Sequence, residues 1–283
     1  MKICISAEST IDVPKELLEE YDIKTIPFTV LLGEKSGLDG VITPDEIFAY
    51  VEETKILPKT SAVNEFQFEE YFKNLLKEYD AIIHFSLSSG ISCACQNAEL
   101  VAKDMKNVYI IDTKSLSTGI ALLAIYGRKL ANKGLPPEEI VAKCQARVPS
   151  VQASFVINTL EYLHKGGRCS GLAKFAAALF RIKPQIIVAD GGMHPGKKYH
   201  GKITPIVEQY CRDTLDEFNS PDLSVAFVTH TQADDAMRAV AYKALKDRGF
   251  KKIYDTTAGA TISSHCGPKT LGILYINDGL KED

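Results

Sequence analysis

Short, nearly continuous apolar runs alternate with helix-patterned stretches along the first half of the chain, and this alternation leaves few folds open. Lys2–Ala7, Thr25–Leu32, Ala81–Leu87 and Val108–Asp112 have strand length and strand composition. Between and after them come amphipathic segments. Pro14–Tyr21 carries proline in its first turn, and Pro44–Glu53 is preceded by Thr43 as N-cap. Asn64 and Gln67 form a capping box, after which Phe68, Tyr71, Phe72, Leu75, Leu76 and Tyr79 recur at helical spacing. Ile56–Val63 reads as a loop. Helices are expected over Ser92–Met105, Leu116–Asn132 and Pro136–Ala146. Strand and helix in this order predict a mostly parallel sheet between helices, an α/β arrangement.

The second half changes character. Ala153–Asn158 reads as a strand, Leu160–His164 as a short helix, and Leu172–Phe180 as an alanine-rich helix. Pro184–Asp190 and Ile203–Val207 look like strands joined by a glycine-rich, basic hairpin. Val207–Phe218 and Ala233–Arg248 are helical, while Leu223–His230, Lys252–Thr256 and Leu271–Ile276 are strand-like. The change from open alternation to hairpin-containing α+β falls near Arg147–Gln152. The expectation is an N-terminal α/β domain over 1–149 and a C-terminal α+β domain over 150–283, which suits 283 residues.

Charge excludes some partners. The net charge is −3 and basic residues do not cluster beyond Lys197-Lys198 with Lys202, so no electrostatic footprint for nucleic acid or an anionic membrane is present. No apolar run reaches membrane-spanning length, so stable membrane insertion is not expected. Seven scattered cysteines, an odd number, suit reduced thiols in a cytoplasmic protein.

Several catalytic patterns fail on their chemistry. Gly191–Lys198 nearly matches a phosphate loop, but Lys198 stands where the magnesium-binding hydroxyl belongs, and no apolar helix follows. A solvated hairpin tip is the better reading. Cys93, Cys95, His265 and Cys266 match no usual zinc spacing, and such cysteines are more often small buried hydrophobes. No metal and no cofactor is therefore expected. No G-x-S-x-G elbow occurs, and Cys266 beside His265 is adjacent in sequence only. More informative are loops rich in small hydroxyls: Ser9-Thr10, Thr60-Ser61, and Ser88-Ser89-Gly90-Ile91-Ser92. Ligands of open parallel sheets sit beyond the carboxyl ends of the strands. Neutral donors without base, nucleophile or metal suit holding an anion more than transforming one.

At these loops the chain resembles the DegV family of bacterial fatty-acid-binding proteins, from Ile3 to about Ile276. The resemblance is carried by Glu8-Ser9-Thr10-Ile11-Asp12-Val13-Pro14, Asp39-Gly40, Lys59-Thr60-Ser61, and Ser88–Ser92 with Gln96 and Ala98. It continues in Leu160-Glu161-Tyr162-Leu163-His164-Lys165-Gly166-Gly167-Arg168, Ile182-Lys183-Pro184, Asp190-Gly191 and His265-Cys266-Gly267-Pro268. It implies two domains with a buried acyl chain, and a carboxylate held near their interface by Ser61 or Thr60, by Ser92, and by His265 from the second domain. Ala94 and Gly267 are second-tier positions. A tunnel wall is expected along Leu172–Phe180, at Phe175, Ala177 and Leu179, although ordinary close helix packing would use the same residues. The resemblance further implies a separate kinase to which the bound fatty acid is presented.

This chain departs from the family pattern in places. Glu8 stands where Asp is usual, Ala62-Val63-Asn64 follow Thr60-Ser61, and Cys93-Ala94-Cys95 follow the second serine in place of Gly-Thr-Tyr. The later basic motif reads Lys198-Tyr199-His200 rather than ending in arginine. Burying about fifteen methylenes at about 0.8 kcal/mol each supplies about 12 kcal/mol before association costs, so the tail would provide affinity and the head contacts orientation. The competing expectation is a hydrolase or acyltransferase on a lipid-like ester, with Ser92 or Cys93 as nucleophile and His265 as base.

Overall fold

The computed structural model describes residues 1–169 and 182–279. The first half contains β1 (Ile3–Glu8), α1 (Lys15–Glu20), β2 (Ile23–Ile26), β3 (Thr29–Leu32), β4 (Lys35–Leu38) and α2 (Pro44–Thr54). It continues through β5 (Lys59–Ser61), α3 (Glu65–Leu75), β6 (Ala81–Ser86), α4 (Ala94–Ala102), β7 (Val108–Asp112), α5 (Thr118–Asn132) and α6 (Pro137–Arg147). The second half holds β8 (Val151–Val156), α7 (Glu161–Gly166), β9 (Lys183–Ala189), β10 (Gly192–Tyr199) and α8 (Ile203–Glu217). It ends with β11 (Val225–Thr231), α9 (Asp235–Arg248), β12 (Lys252–Thr257), α10 (Ala260–Cys266) and β13 (Thr270–Ile276).

Strands β2-β1-β6-β7 form a parallel sheet, which is why β1 and β6 are buried at every position and read as continuous apolar runs. A second sheet has the order β10-β9-β8-β13-β11-β12 and is antiparallel except for the β11–β12 pair. Helix α5 lies between the two. It packs on β1 and β6 through one face and on β8, β11 and β13 through the other, which explains its burial nearly all round. The mixed α/β architecture expected from the sequence is the one observed; the Asn64 capping box forms with both of its hydrogen bonds, and Thr43, read as an N-cap, proves to form a capping box with Glu46 as well.

Four segments differ from the sequence reading. Thr25–Leu32 is two strands, β2 in the parallel sheet and β3 in a separate three-stranded antiparallel sheet of order β4-β3-β5, because Pro27 lacks the N–H a continuing ladder requires. Ile56–Val63 is not all loop: β5 pairs with β3, setting Thr60 opposite Val30 and Ser61 opposite Thr29. Ile203–Val207 is the first turn of α8, and the second arm of the hairpin is β10. The hairpin turns in two residues, Asp190 at φ 52° and Gly191 at φ 76°, so its return strand starts at once with Gly192. The phosphate-loop lookalike is therefore this turn plus a strand. Finally, α10 carries His265, where no helix was expected.

Candidate functional site

The loop Leu87–Ser92 leaves the carboxyl end of β6 and is fixed at each step. The Leu87 N–H donates to Glu8 Oε2 at 2.9 Å, and the Ser86 hydroxyl donates to Glu8 Oε1 at 2.5 Å. Burial alone would raise the Glu8 carboxyl, but the His84 imidazole and these donors outweigh it and hold Glu8 below the usual carboxylate range. His84 Nε2 lies 3.3 Å from Glu8 Oε1, out of line for a hydrogen bond, while His84 Nδ1 meets the Ser6 hydroxyl at 2.8 Å. Glutamate at this position thus reaches the loop backbone directly. The Ser89 N–H donates to Asp112 Oδ1 at 3.2 Å, and the Ser88 hydroxyl donates to the Gly191 carbonyl at 2.6 Å. A Cβ on Gly90 would stand 2.5 Å from that same carbonyl. Glycine at position 90 lets the β9–β10 turn dock on the loop.

Ser92 follows, its Oγ accepting from the Ala94 N–H at 3.2 Å, which leaves its hydroxyl proton available. The Asn97 side chain donates to the Val63 carbonyl at 2.8 Å and ties α4 to the segment after β5. These contacts bring Thr60, Ser61 and Ser92 to one cleft, and α10 enters it from the other half of the chain. His265 Nε2 meets Thr60 Oγ1 at 2.8 Å. The cleft measures about 500 Å³ and is lined by Thr60, Ser61, Ser92 and His265 together with Phe28, Leu87, Ile91, Leu116, Met193 and Ile262. That size falls in the usual range for small-molecule sites. A second, apolar cavity of about 30 Å³ lies behind it, and Leu116, Ile262 and Cys266 border both.

Ala94 and Gly267 sit beside the cleft without lining it. Ala94 is buried in the first turn of α4, and Gly267, at φ 75°, ends α10 against the Tyr162 ring. Phe175, Ala177 and Leu179 lie outside the described residues. Arg168, left unassigned from sequence, lines the cleft and donates to the Gly166 carbonyl at 2.6 Å. Gln96, Ser89 and Thr261 also line it. Ser89 and Gln96 belong to the motifs quoted above, whereas Thr261 lies on the unexpected helix. Among the described residues no group of three or more His, Cys, Asp or Glu side chains is arranged to hold a metal ion. Cys95 and Cys266 are buried, and burial pushes both thiols up to about 12.

The imidazole of His265 is neutral. Burial, with the Arg168 cation adding to it, pulls its pKa down to about 4. Its unfolded value is about 6.5, so the unfolded chain takes up this proton first. The stability contributed by neutral His265 is complete above about 6.5 and is lost as pH falls from there toward about 4. In the ligand-free protein, ring resonances of His265 are expected to keep their neutral positions down to about pH 5. A midpoint near the ordinary histidine value would remove this account. His265 Nδ1 has no hydrogen-bond partner among the described residues and faces Gly166, where a Cβ would come within 2.8 Å of it. This contact explains the first glycine of Gly166-Gly167-Arg168. Gly166→Ala is expected to push the ring off Thr60 and lower stability by about 1–3 kcal/mol. Thermal melts and the crystal structure of the variant check it, and an unmoved ring would contradict it.

A family profile described as "Uncharacterised protein, DegV family" matches residues 2–278. A fatty acid-binding protein of Thermotoga maritima is 29% identical over 285 residues, covering 96% of each chain. The solved structure of a fatty-acid-binding DegV family protein from Thermus thermophilus superposes with a TM-score of 0.90 at 26% identity, over 98% of this chain and 100% of that one. A stearic acid-binding protein from Eubacterium ventriosum gives 0.84 at 27% identity, over 97% and 98%. Among the described residues no helix is long and apolar enough to cross a membrane.

Proposed function

This chain belongs to the DegV family, and from that premise we propose that it binds a long-chain fatty acid in the cleft between β5, the Ser88–Ser92 loop and α10. The observation that carries the reading is the meeting of Thr60, Ser61, Ser92 and neutral His265 in one cleft whose remaining wall is largely apolar. If His265 Nε2–H donates to Thr60 Oγ1, the Thr60 hydroxyl proton is left to point at a carboxylate. Ser61 and Ser92 supply two more hydroxyls, and Arg168 supplies a cation at the rim. Each hydrogen bond to a charged group contributes about 1.5–3 kcal/mol, but the carboxylate must first lose its water. The tail lies along the apolar wall of the cleft, past Leu116, Ile262 and Cys266 toward the small apolar cavity behind, and its burial supplies most of the affinity.

The protein binds and presents its ligand rather than transforming it, in a reducing compartment such as the cytoplasm, and the partner is a separate kinase acting on the carboxyl group. In the Lys198-Tyr199-His200 segment Tyr199 is buried with its hydroxyl donating to Asp213 at 3.1 Å, so it is not a docking residue. The hydrolase alternative has less support. Among the described residues His265 bonds to Thr60 and to neither Ser92 nor Cys93, and an imidazole pulled down to about 4 is a weak base at neutral pH.

Mass spectrometry of purified protein, first native and then denatured, tests the reading. Intact fatty acid released from unmodified protein is expected. An acyl adduct on Ser92 or Cys93, or a lipid-free protein that takes up no fatty acid, would overturn it.

A further inference from the structure

Two acidic motifs, Ser9–Asp12 and Asp39-Gly40, do not line the cleft, yet their carboxyl groups meet at one place. Asp12 and Asp39 are both buried and converge on the start of α10. The Gly259 N–H donates to Asp12 Oδ1 at 2.8 Å, and the Ala260 N–H donates to Asp39 Oδ1 at 2.8 Å. The remaining oxygens are held from the first half of the chain: the Ser117 hydroxyl donates to Asp12 Oδ2 at 2.6 Å, and the Ser9 hydroxyl to Asp39 Oδ2 at 2.9 Å. The same Ser9 oxygen accepts the Phe28 N–H at 3.1 Å, and the Phe28 carbonyl accepts the Asp39 N–H at 2.9 Å. Phe28 lines the cleft. The clamp is therefore braced on the wall of the site itself.

A helix leaves its first N–H groups without internal partners, and one of seven residues has too few internal bonds to set its own direction. Carboxyl oxygens at its N-terminus satisfy those groups as acceptors, and burial, with Asp39 close by, pushes the Asp12 carboxyl well above the usual carboxylate range, so the clamp rests on these hydrogen bonds rather than on charge. We infer that Asp12 and Asp39 are positioning residues for fatty acid binding, aiming α10 so that His265 meets Thr60 at the head-group end of the cleft. The inference rests on the carboxylate reading above. His265 stands five residues beyond Ala260, about 7.5 Å along the axis, so a tilt of about 10° at the clamped end moves the ring by about 1 Å. That shift exceeds the roughly 0.5 Å tolerance of a preorganised site.

Asp39→Ala and Asp39→Asn test this with two readouts. The first is the ring nitrogen NMR signal of His265 in ligand-free protein, assigned by comparison with His265→Gln. The second is the ratio of affinities for palmitate and its methyl ester. In Asp39→Ala the signature of the Thr60 bond is expected to disappear and the ratio to fall about tenfold, while ester affinity stays within about twofold. Asp39→Asn, which keeps the acceptor for Ala260, should restore both. An unchanged resonance and ratio in Asp39→Ala, or an equal fall for acid and ester, would overturn the inference. Should Asp39→Ala fail to fold, Ser9→Ala removes the brace more gently and is read the same way. If the unmodified protein does not distinguish acid from ester, the carboxylate reading fails, and the His265 resonance still decides whether the clamp aims the ring.

Discussion

Thr60→Val lowers the affinity for palmitate by about ten- to a hundredfold and leaves the methyl ester nearly unaffected, if the head group is held as proposed; this range corresponds to a charged hydrogen bond of about 1.5–3 kcal/mol. Valine keeps the β-branched shape and suits the short strand β5, so the ladder to Val30 should persist. What changes is the hydroxyl. Its loss removes a donor from the cleft and leaves His265 Nε2 without the partner it has at 2.8 Å. The stranded imidazole is partly buried and already short of a partner at Nδ1, so stability should fall by about 1–3 kcal/mol as well. Titration calorimetry with acid and ester, beside thermal melts, separates the two effects. Equal affinity loss for acid and ester would mean that the variant damages the cleft rather than the head-group contacts. No loss for either would remove Thr60 from the site.

The parts of this site that could be read from sequence are those whose physics is local. Ser88–Ser92 follows a run of six buried residues in β6, and ligands of open parallel sheets sit beyond such carboxyl ends, although small hydroxyls and glycine there serve equally as helix caps and turns and only several such loops together point to a site. The helix caps at Thr43 and Asn64 are complete within four residues. The turn at Asp190-Gly191 also carries its own signal, yet the strand after it was displaced into α8, because Lys197, Lys198 and Gly196 look unlike a strand. They are tolerated because β10 lies at the edge of its sheet. Helix α10 had no local signature. It is short and serine-rich, its N-cap is Gly259, and its first N–H groups find carboxyl oxygens 221 and 247 residues away. Likewise β5 is three residues long, mostly exposed, and defined by its pairing with β3. The cleft forms where such distant pieces meet, so its membership depends on packing that no window of the sequence contains. The family resemblance pointed to Thr60, Ser61, Ser92 and His265 together, which periodicity alone did not group.

Ile262→Phe is expected to cost the most for long chains and little for short ones. Leu116, Ile262 and Cys266 border both the head-group cleft and the apolar cavity behind it, so they form the neck a tail must pass. Of the three, Ile262 is only partly buried, whereas Leu116 and Cys266 are buried. Phenylalanine at 262 can therefore be accommodated toward the cavity instead of within the core, at the expense of the passage. The cavity behind the neck, at about 30 Å³, has room for about one methylene; if that one and its neighbour in the passage lose their burial at about 0.8 kcal/mol each, about 1.5 kcal/mol is forfeited and palmitate affinity falls about tenfold. Decanoate, with less tail beyond the neck, should lose far less, so the steep dependence of affinity on chain length should flatten. Binding measured across saturated acids of increasing length shows this directly. A length profile parallel to that of the unmodified protein would mean that the tail leaves the cleft by another route, and the apolar cavity would then have no part in binding.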